Sequence, residues 1–162
     1  MRDHVDHVLE QWKRERPDLD PSPVAVVGRV SRLSRALEDR LEPVYEQFGL
    51  DGGLFDVLAA LRRQGPPFRL SPRALADASM LSSSATTKRL DRLERAGLIV
   101  RKPDPDDRRG VSIELTPAGR KLIDAAYPQH MANEERLLAP LTKTERRQLA
   151  TLLRKMLASL DA

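Results

Sequence analysis

The chain has 162 residues, of which 40% are hydrophobic and 32% are charged, and this composition is typical of one water-soluble globular domain. The sequence contains no cysteine, which excludes disulfides, thiolate catalysis and cysteine-ligated zinc. It has neither an apolar run long enough to span a bilayer nor a secretory signal, so we expect a cytoplasmic protein without a membrane partner. Lys and Arg outnumber Asp and Glu by 28 to 24, and the net charge of +4 is compatible with a polyanionic partner.

Two amphipathic helices are predicted before the first glycine-rich break. Val5, Val8, Leu9 and Trp12 form a narrow apolar stripe at helical spacing in residues 1–16. A proline-rich connector follows, with Ser22 as the expected N-cap of a second helix. That helix is apolar on one face for about six turns and contains Pro43, where we expect a kink.

The next segment predicts a helix-turn-helix. Asp51 caps a helix that ends before Gly65, residues 68–70 could form a very short strand, and Ser71 caps a two-turn helix. A tight connection at 79–82 leads to a helix over 83–96, closed by Gly97.

Two β-prone runs, 98–102 and 111–115, flank a Pro-, Asp- and Arg-rich segment and predict an exposed two-stranded wing. Thr116 caps a further helix to about Leu138, and Thr142 with Glu145 fits a capping box for a last helix ending near Leu160. The expected fold class is mainly α with a small β-wing. Its parts are an extra amino-terminal helix (1–22), a dimerisation helix leading into the core (23–65), a winged helix-turn-helix core (66–116) and carboxy-terminal dimerisation helices (117–162).

The helix over 83–96 has a cationic, hydrogen-bonding outer face. On a helical wheel Leu90 and Leu93 lie on one side, with basic and hydroxyl residues opposite them. The interval from Arg69 to Arg109 alone carries a net charge of +4. Arg and Lys suit guanine edges and phosphates, and arginines at a wing tip suit a minor groove. The candidate DNA-binding residues are Ser83, Ser84, Thr87, Lys88, Arg92, Arg95, Arg108 and Arg109.

The segment DPDDRRGVSIELTPAG (104–119) resembles the wing signature of MarR-family transcriptional regulators, through Asp107, Arg109, Leu115, Thr116 and Gly119. The order of helices around it matches the same family. This resemblance implies a homodimer whose first and last helices interlock. It also implies binding to a palindromic double-stranded DNA operator, usually as a repressor that a small ligand releases.

A narrower resemblance concerns a urate-responsive subgroup with an extra amino-terminal helix bearing a Trp. Aligning GLDGGLFDVLAALRR (49–63) and TTKRLDRLERAGLIVR (86–101) implies the ligand set Trp12, Asp56, Arg89 and Arg101. Urate is a flat monoanion with donors and acceptors, which suits an aromatic surface, an arginine fork and a carboxylate. The resemblance further implies that the ligand rearranges Asp56, Arg89 and Arg101 and so shifts the recognition helices.

Several alternatives remain open. Trp12 could only attach its helix to a dimer, and Asp56 and Arg101 could form a plain ion pair. The effector could be another small anion or a phenolic compound, and the protein could be an interaction module that does not bind DNA. His4, His7 and His130 are a weak case for zinc, and no nucleophile or phosphate-loop motif indicates an enzyme, so we expect neither metal, cofactor nor catalysis.

Overall fold

The computed structural model describes residues 2–78, 86–104 and 110–160. In these ranges the fold is mainly helical with one small antiparallel sheet, which confirms the predicted fold class. The elements are α1 (His4–Glu15), α2 (Val24–Glu46), α3 (Gly52–Arg63), β1 (Arg69–Leu70), α4 (Pro72–Ala78), α5 (Thr86–Arg95), β2 (Ile99–Pro103), β3 (Val111–Leu115), α6 (Pro117–Leu137) and α7 (Lys143–Leu160). The chain divides into two compact units, residues 1–42 and 43–162.

The first unit is fastened by contacts between α1 and the first turns of α2. Asp3 caps α1, and Asp6 accepts in return from the Asp3 backbone N–H at 2.8 Å, which completes a capping box. Arg29 of α2 reaches both carboxylates, at 2.8 Å to Asp3 and 2.6 Å to Asp6. Val5 is buried beside Gly28, where an added Cβ would lie 3.5 Å from the valine. Because α1 buries little apolar surface, the ion pairs of Arg29 with Asp3 and Asp6 help to hold α1 against α2.

The start of α2 lies where the sequence predicted it, but Ser22 does not act as the expected cap. Its hydroxyl donates to Asp20 Oδ2 at 2.7 Å, and turns in the connector lead into the helix. Pro43 lies in the last turn, and the helix continues to Glu46 before Gly49 adopts a φ of 69°.

In the second unit α3 is the central element. Every residue from Gly53 to Leu61 is buried, and the helix packs against α4, α5, α6 and β3. Complete burial of one large aliphatic side chain contributes about 1.5–3 kcal/mol. The large aliphatic side chains most completely removed from water are Leu58, Leu61, Leu75, Leu93, Ile99, Ile113 and Ile123.

The wing strands belong to a three-stranded antiparallel sheet with the order β1-β3-β2. Ile99 pairs with Leu115 and Pro103 with Val111, so β2 and β3 stay in register along their full length. The sequence predicted two wing strands and a possible third near 68–70. That third strand, β1, forms and pairs with β3.

Position 119 in the wing signature is a glycine because no side chain fits there. A Cβ at this position would lie 2.9 Å from the Leu98 carbonyl carbon and closer still to its oxygen. The same carbonyl accepts from Thr116 N at 3.1 Å, and the Thr116 hydroxyl donates to Gly97 O at 2.7 Å. Only glycine lets α6 begin this close to the turn between α5 and β2.

The last helix stands apart from the core. Its start is the predicted capping box, in which Thr142 N donates to Glu145 Oε2 at 2.7 Å and Glu145 N donates back at 3.3 Å. None of the residues from Lys143 to Leu160 is buried. Helix α7 is therefore well formed but leaves its apolar face uncovered.

Candidate nucleic-acid interface and ligand site

Helix α5 is amphipathic in the sense predicted. Leu90 and Leu93 are buried, whereas Lys88, Arg92 and Arg95 are exposed. Thr87 is exposed as well. Ser83, Ser84, Arg108 and Arg109 lie outside the described residues. Within the described part, α5 therefore exposes three of its four cations.

One of these cations, Arg92, is paired with a carboxylate of another helix. Arg92 Nη1 lies 2.5 Å from Asp51 Oδ2, and Asp51 Oδ1 accepts from Leu54 N at 2.9 Å as the N-cap of α3. The cap carboxylate therefore links α5 to the first turn of α3. The sequence predicted Asp51 as a cap but did not reveal this second partner, 41 residues away.

Arg101 on β2 faces back toward α5. Its Nη2 lies 2.6 Å from Asp91, and its Nη1 is paired with Glu94. The hydrogen bond to Asp91, with the one to Glu94, raises the pKa of Arg101 above the usual arginine value. The ion pair considered between Arg101 and Asp56 is thus replaced by a fork onto two carboxylates of α5.

Arg89 of α5 lies against the face of α3 that carries Asp56. The Asp56 side chain is buried, and Arg89 is packed over Gly53, three residues earlier in the helix. Residues three apart in a helix are neighbours on its surface. Asp56, Arg89 and Arg101 are therefore connected through α3, α5 and β2 of the second unit.

Trp12 belongs to the first unit. It is 50% exposed and borders a cavity of about 210 Å³ beside the connector between α1 and α2. The other lining residues are Arg16, Leu19, Asp20, Pro21 and Val24. An aromatic face that is half open to solvent is available for stacking.

A larger cavity, which sequence reasoning missed, lies between α3 and α6. Its volume is about 530 Å³, and Phe55, Asp56, Tyr127 and His130 are in its wall. His130 lies 4.8 Å from Phe55 between ring centroids, and its Nδ1 is 3.2 Å from the Tyr45 hydroxyl. The helical spacing of Tyr127, His130 and Met131 was the available signal, but His130 was weighed only as a metal ligand.

Two absences concern the described residues only. In ranges 2–78, 86–104 and 110–160 no group of three or more His, Cys, Asp or Glu residues could hold a metal ion. Over the same part of the chain, no helix combines the length and apolar character needed to cross a membrane.

A family model described as MarR family matches residues 48–110, the interval from the end of α2 to the wing. The HTH-type transcriptional regulator PecS of Dickeya dadantii (strain 3937) is 42% identical over 149 residues, which cover 92% of this chain and 90% of PecS. The chain belongs to the MarR family. It is a ligand-responsive, DNA-binding transcriptional regulator of the MarR type and not an enzyme, and the alternative of an interaction module without DNA binding is set aside.

Solved structures resemble this MarR regulator in fold. Sco3205 of Streptomyces coelicolor, a MarR family regulator in complex with DNA, aligns with a TM-score of 0.80 at 23% identity, over 89% of this chain and 91% of Sco3205. BpsR of Bordetella bronchiseptica, whose DNA binding is regulated by 6-hydroxynicotinic acid, aligns with a TM-score of 0.65 at 30% identity. That alignment covers 79% of this chain and 98% of BpsR.

Proposed function

We propose that the regulator is a repressor that binds a palindromic operator as a homodimer, with α5 of each subunit in the major groove. The exposed cationic face of α5 is the observation that carries this proposal. Lys88, Arg92 and Arg95 supply charges for phosphates and base edges. Thr87 of α5 adds a hydroxyl donor, as do Ser83 and Ser84, which precede α5 in the sequence. We propose that Arg108 and Arg109, which lie between β2 and β3 in the sequence, contact the adjacent minor groove.

A second copy of the chain is the partner we propose for the uncovered helices. On α7, Leu152 is 61% exposed and Leu160 is 79% exposed. Monomeric proteins rarely leave a continuous apolar stripe this exposed to water. In the first unit α2 likewise exposes Val26, Val27, Val30 and Leu33. A two-fold dimer covers such surfaces with their own copies and presents two α5 helices to half-sites about 34 Å apart.

The proposed effector is urate or a closely related purine, for which Asp56, Arg89 and Arg101 are the proposed ligand residues of the second unit and Trp12 is that of the first. The two arginines fork onto its anionic edge, Asp56 accepts from a ring N–H, and an aromatic face such as that of Trp12 suits the flat ring. The engagement of Arg101 by Asp91 and Glu94 supports a mechanism. An anion that competes for Arg101 and Arg89 loosens the contacts that fix α5 to β2 and α3, and so lowers the affinity for the operator.

Operator binding with and without urate tests the proposal. Wild-type protein is titrated onto its own promoter region by footprinting, and urate is then added. We expect Arg89→Ala to bind the operator less tightly than wild type, because its contact with α3 is lost, and to need about tenfold more urate or higher for half release, because a charge-assisted hydrogen bond to the ligand is lost. Lys121→Ala removes an exposed cation of α6 as a matched control. Release of Arg89→Ala at the wild-type urate concentration would show that Arg89 is not a ligand residue.

A different small anion or a phenolic compound is the second candidate effector. The cavity between α3 and α6 favours it, because Phe55, Tyr127 and His130 offer aromatic surface beside the charges of Asp56 and neighbouring arginines. BpsR, regulated by 6-hydroxynicotinic acid, provides a precedent among similar proteins. Calorimetry with urate, xanthine, citrate and 6-hydroxynicotinic acid separates the two. Loss of binding in Tyr127→Ala with retention in Arg89→Ala would favour this second candidate.

A further inference from the structure

Helix α3 begins with two glycines, and the second of them has no backbone reason to be glycine. Gly53 lies within the helix, where the backbone conformation is open to all residues other than proline. Glycine is among the least favourable residues in a helix, because it restricts the unfolded chain least. Gly53 is also buried, at a position where an alanine methyl group would ordinarily add packing.

The space beside Gly53 is occupied by Arg89. A Cβ built on Gly53 would lie 2.7 Å from Arg89 Cζ and 3.0 Å from Arg89 Cδ, and closer still to Nε. Carbon atoms in contact are normally about 3.5–4.0 Å apart. The guanidinium of Arg89 therefore crosses α3 where a side chain would otherwise stand.

We propose that Gly53 is a positioning residue for Arg89. The bare backbone at Gly53 is a cradle that holds the Arg89 guanidinium against the first turn of α3, on the face that carries Asp56. This inference rests on the proposed function, because it is the ligand that makes the position of Arg89 matter. Gly53 thereby becomes a determinant of the response to the ligand, although it has no side chain that could contact the ligand. Any side chain at position 53 displaces Arg89 from this face of α3.

The first test needs no ligand. Thermal unfolding is measured for wild type, Gly53→Ala, Arg89→Ala and the double variant. In the Arg89→Ala background Gly53→Ala raises the midpoint, because alanine favours the helix and meets no obstacle. In the wild-type background the rise is smaller or turns into a fall, because Arg89 is displaced. Equal midpoint shifts in both backgrounds would contradict the proposal that Gly53 positions Arg89.

Gly28→Ala is the matched control for this cycle. It is also a glycine inside a helix, and its Cβ would make ordinary contacts of 3.4 Å with Val24 and 3.5 Å with Val5. Its midpoint shift is the same with Arg89 present or absent. A shift at Gly28 that depends on Arg89 as strongly as the shift at Gly53 would also count against the cradle.

The second test measures release from the operator by urate. Gly53→Ala raises the urate concentration for half release by about tenfold or more, as Arg89→Ala does, and adds no further change when combined with it. Gly28→Ala leaves that concentration unchanged. A wild-type complex unaffected by urate contradicts the proposed effector, and the unfolding cycle then decides the role of Gly53. A wild type that responds and a Gly53→Ala variant that responds equally overturn the positioning role.

Discussion

At the scale of single residues, three arginines determine how α5 is held. Arg89 crosses α3 over Gly53, Arg92 pairs with the α3 cap residue Asp51, and Arg101 of β2 pairs with two acids of α5. Two of these contacts connect α5 to α3 and one connects it to the sheet. The exposed face of α5 is thus partly committed to intramolecular pairs before DNA arrives.

Asp51→Asn separates the two roles of the cap. Asparagine caps a helix about as well as aspartate, but it cannot form the ion pair with Arg92. We expect tighter operator binding, because Arg92 becomes available to a phosphate, and a salt dependence steeper by up to about one unit in the slope of log K against log salt concentration. Titrations of operator binding at several salt concentrations measure both effects.

The control is the same substitution in an Arg92→Ala background. There Asp51→Asn changes neither affinity nor slope, because the arginine it would release is absent. An equal gain in affinity with and without Arg92 would mean that Asp51 acts through long-range charge alone.

At the scale of elements, charge and capping compensate for limited apolar burial. Helix α1 buries only Val5 among its described residues, yet its first turn carries Asp3 and Asp6 against Arg29 of α2. The hydrogen bond from Arg29 lowers the pKa of Asp3 below its usual value of 3.8, and the backbone N–H of Asp3 does most to lower the pKa of Asp6. Attachment of α1 therefore depends on two ionised carboxylates.

Acid should detach α1 from α2 before the rest of the protein unfolds. A carboxylate whose pKa is lowered by folding stabilises the fold above its unfolded value of 3.8, and this stabilisation is lost as the pH falls through the lowered native pKa. Trp12 is the single tryptophan of the chain and lies on α1, so its fluorescence reports the loss. In Asp3→Asn, which keeps the cap but not the charge, we expect a weaker dependence on pH in this range. Identical titrations of the two proteins would contradict the role of the Asp3–Arg29 pair.

The sequence was sufficient to predict most elements and several of their caps. Asp51, Ser71, Thr116 and Thr142 each accept from the backbone of the helix that they begin, as predicted. A cap acts on a residue two or three positions ahead, so the local sequence contains both partners.

Contacts between distant residues were not predictable in the same way. Tyr45 and His130 are 85 residues apart, and Arg29 and Asp3 are 26 apart. Helical periodicity indicates which face of a helix is buried but not which element covers it. For the same reason the sequence suggested Arg89 as a ligand residue, but it did not indicate that Gly53 makes room for it.

At the scale of the whole molecule, the uncovered helices are the basis of the proposed dimer. Leu152, Leu157 and Leu160 of α7 are each at least 60% exposed, and α7 has a polar face opposite them. A lone subunit would present this stripe to water, whereas the proposed dimer buries it. Two copies of α5 at a fixed spacing then follow from the same interface.

Leu157→Glu is expected to convert the dimer into monomers and to abolish specific operator binding. A charge forced into an apolar interface costs several kcal/mol, which is a large part of the stability of an ordinary dimer. Light scattering after gel filtration measures the mass, and footprinting measures operator binding. Thr151→Glu introduces the same charge on the polar face of α7 and should leave both unchanged. A Leu157→Glu protein that remains dimeric would place the interface elsewhere.

None of the 18 residues of α7 is buried within its own subunit, so the proposed dimer would tie operator binding to the concentration of the protein. When a second subunit covers α7, each tenfold fall in protein concentration lowers the stability of the dimer relative to free monomers by about 1.4 kcal/mol. Under the proposed dimeric repression, cells that divide without replacing the protein would lose operator occupancy before they lose the polypeptide, so growth alone would relieve repression.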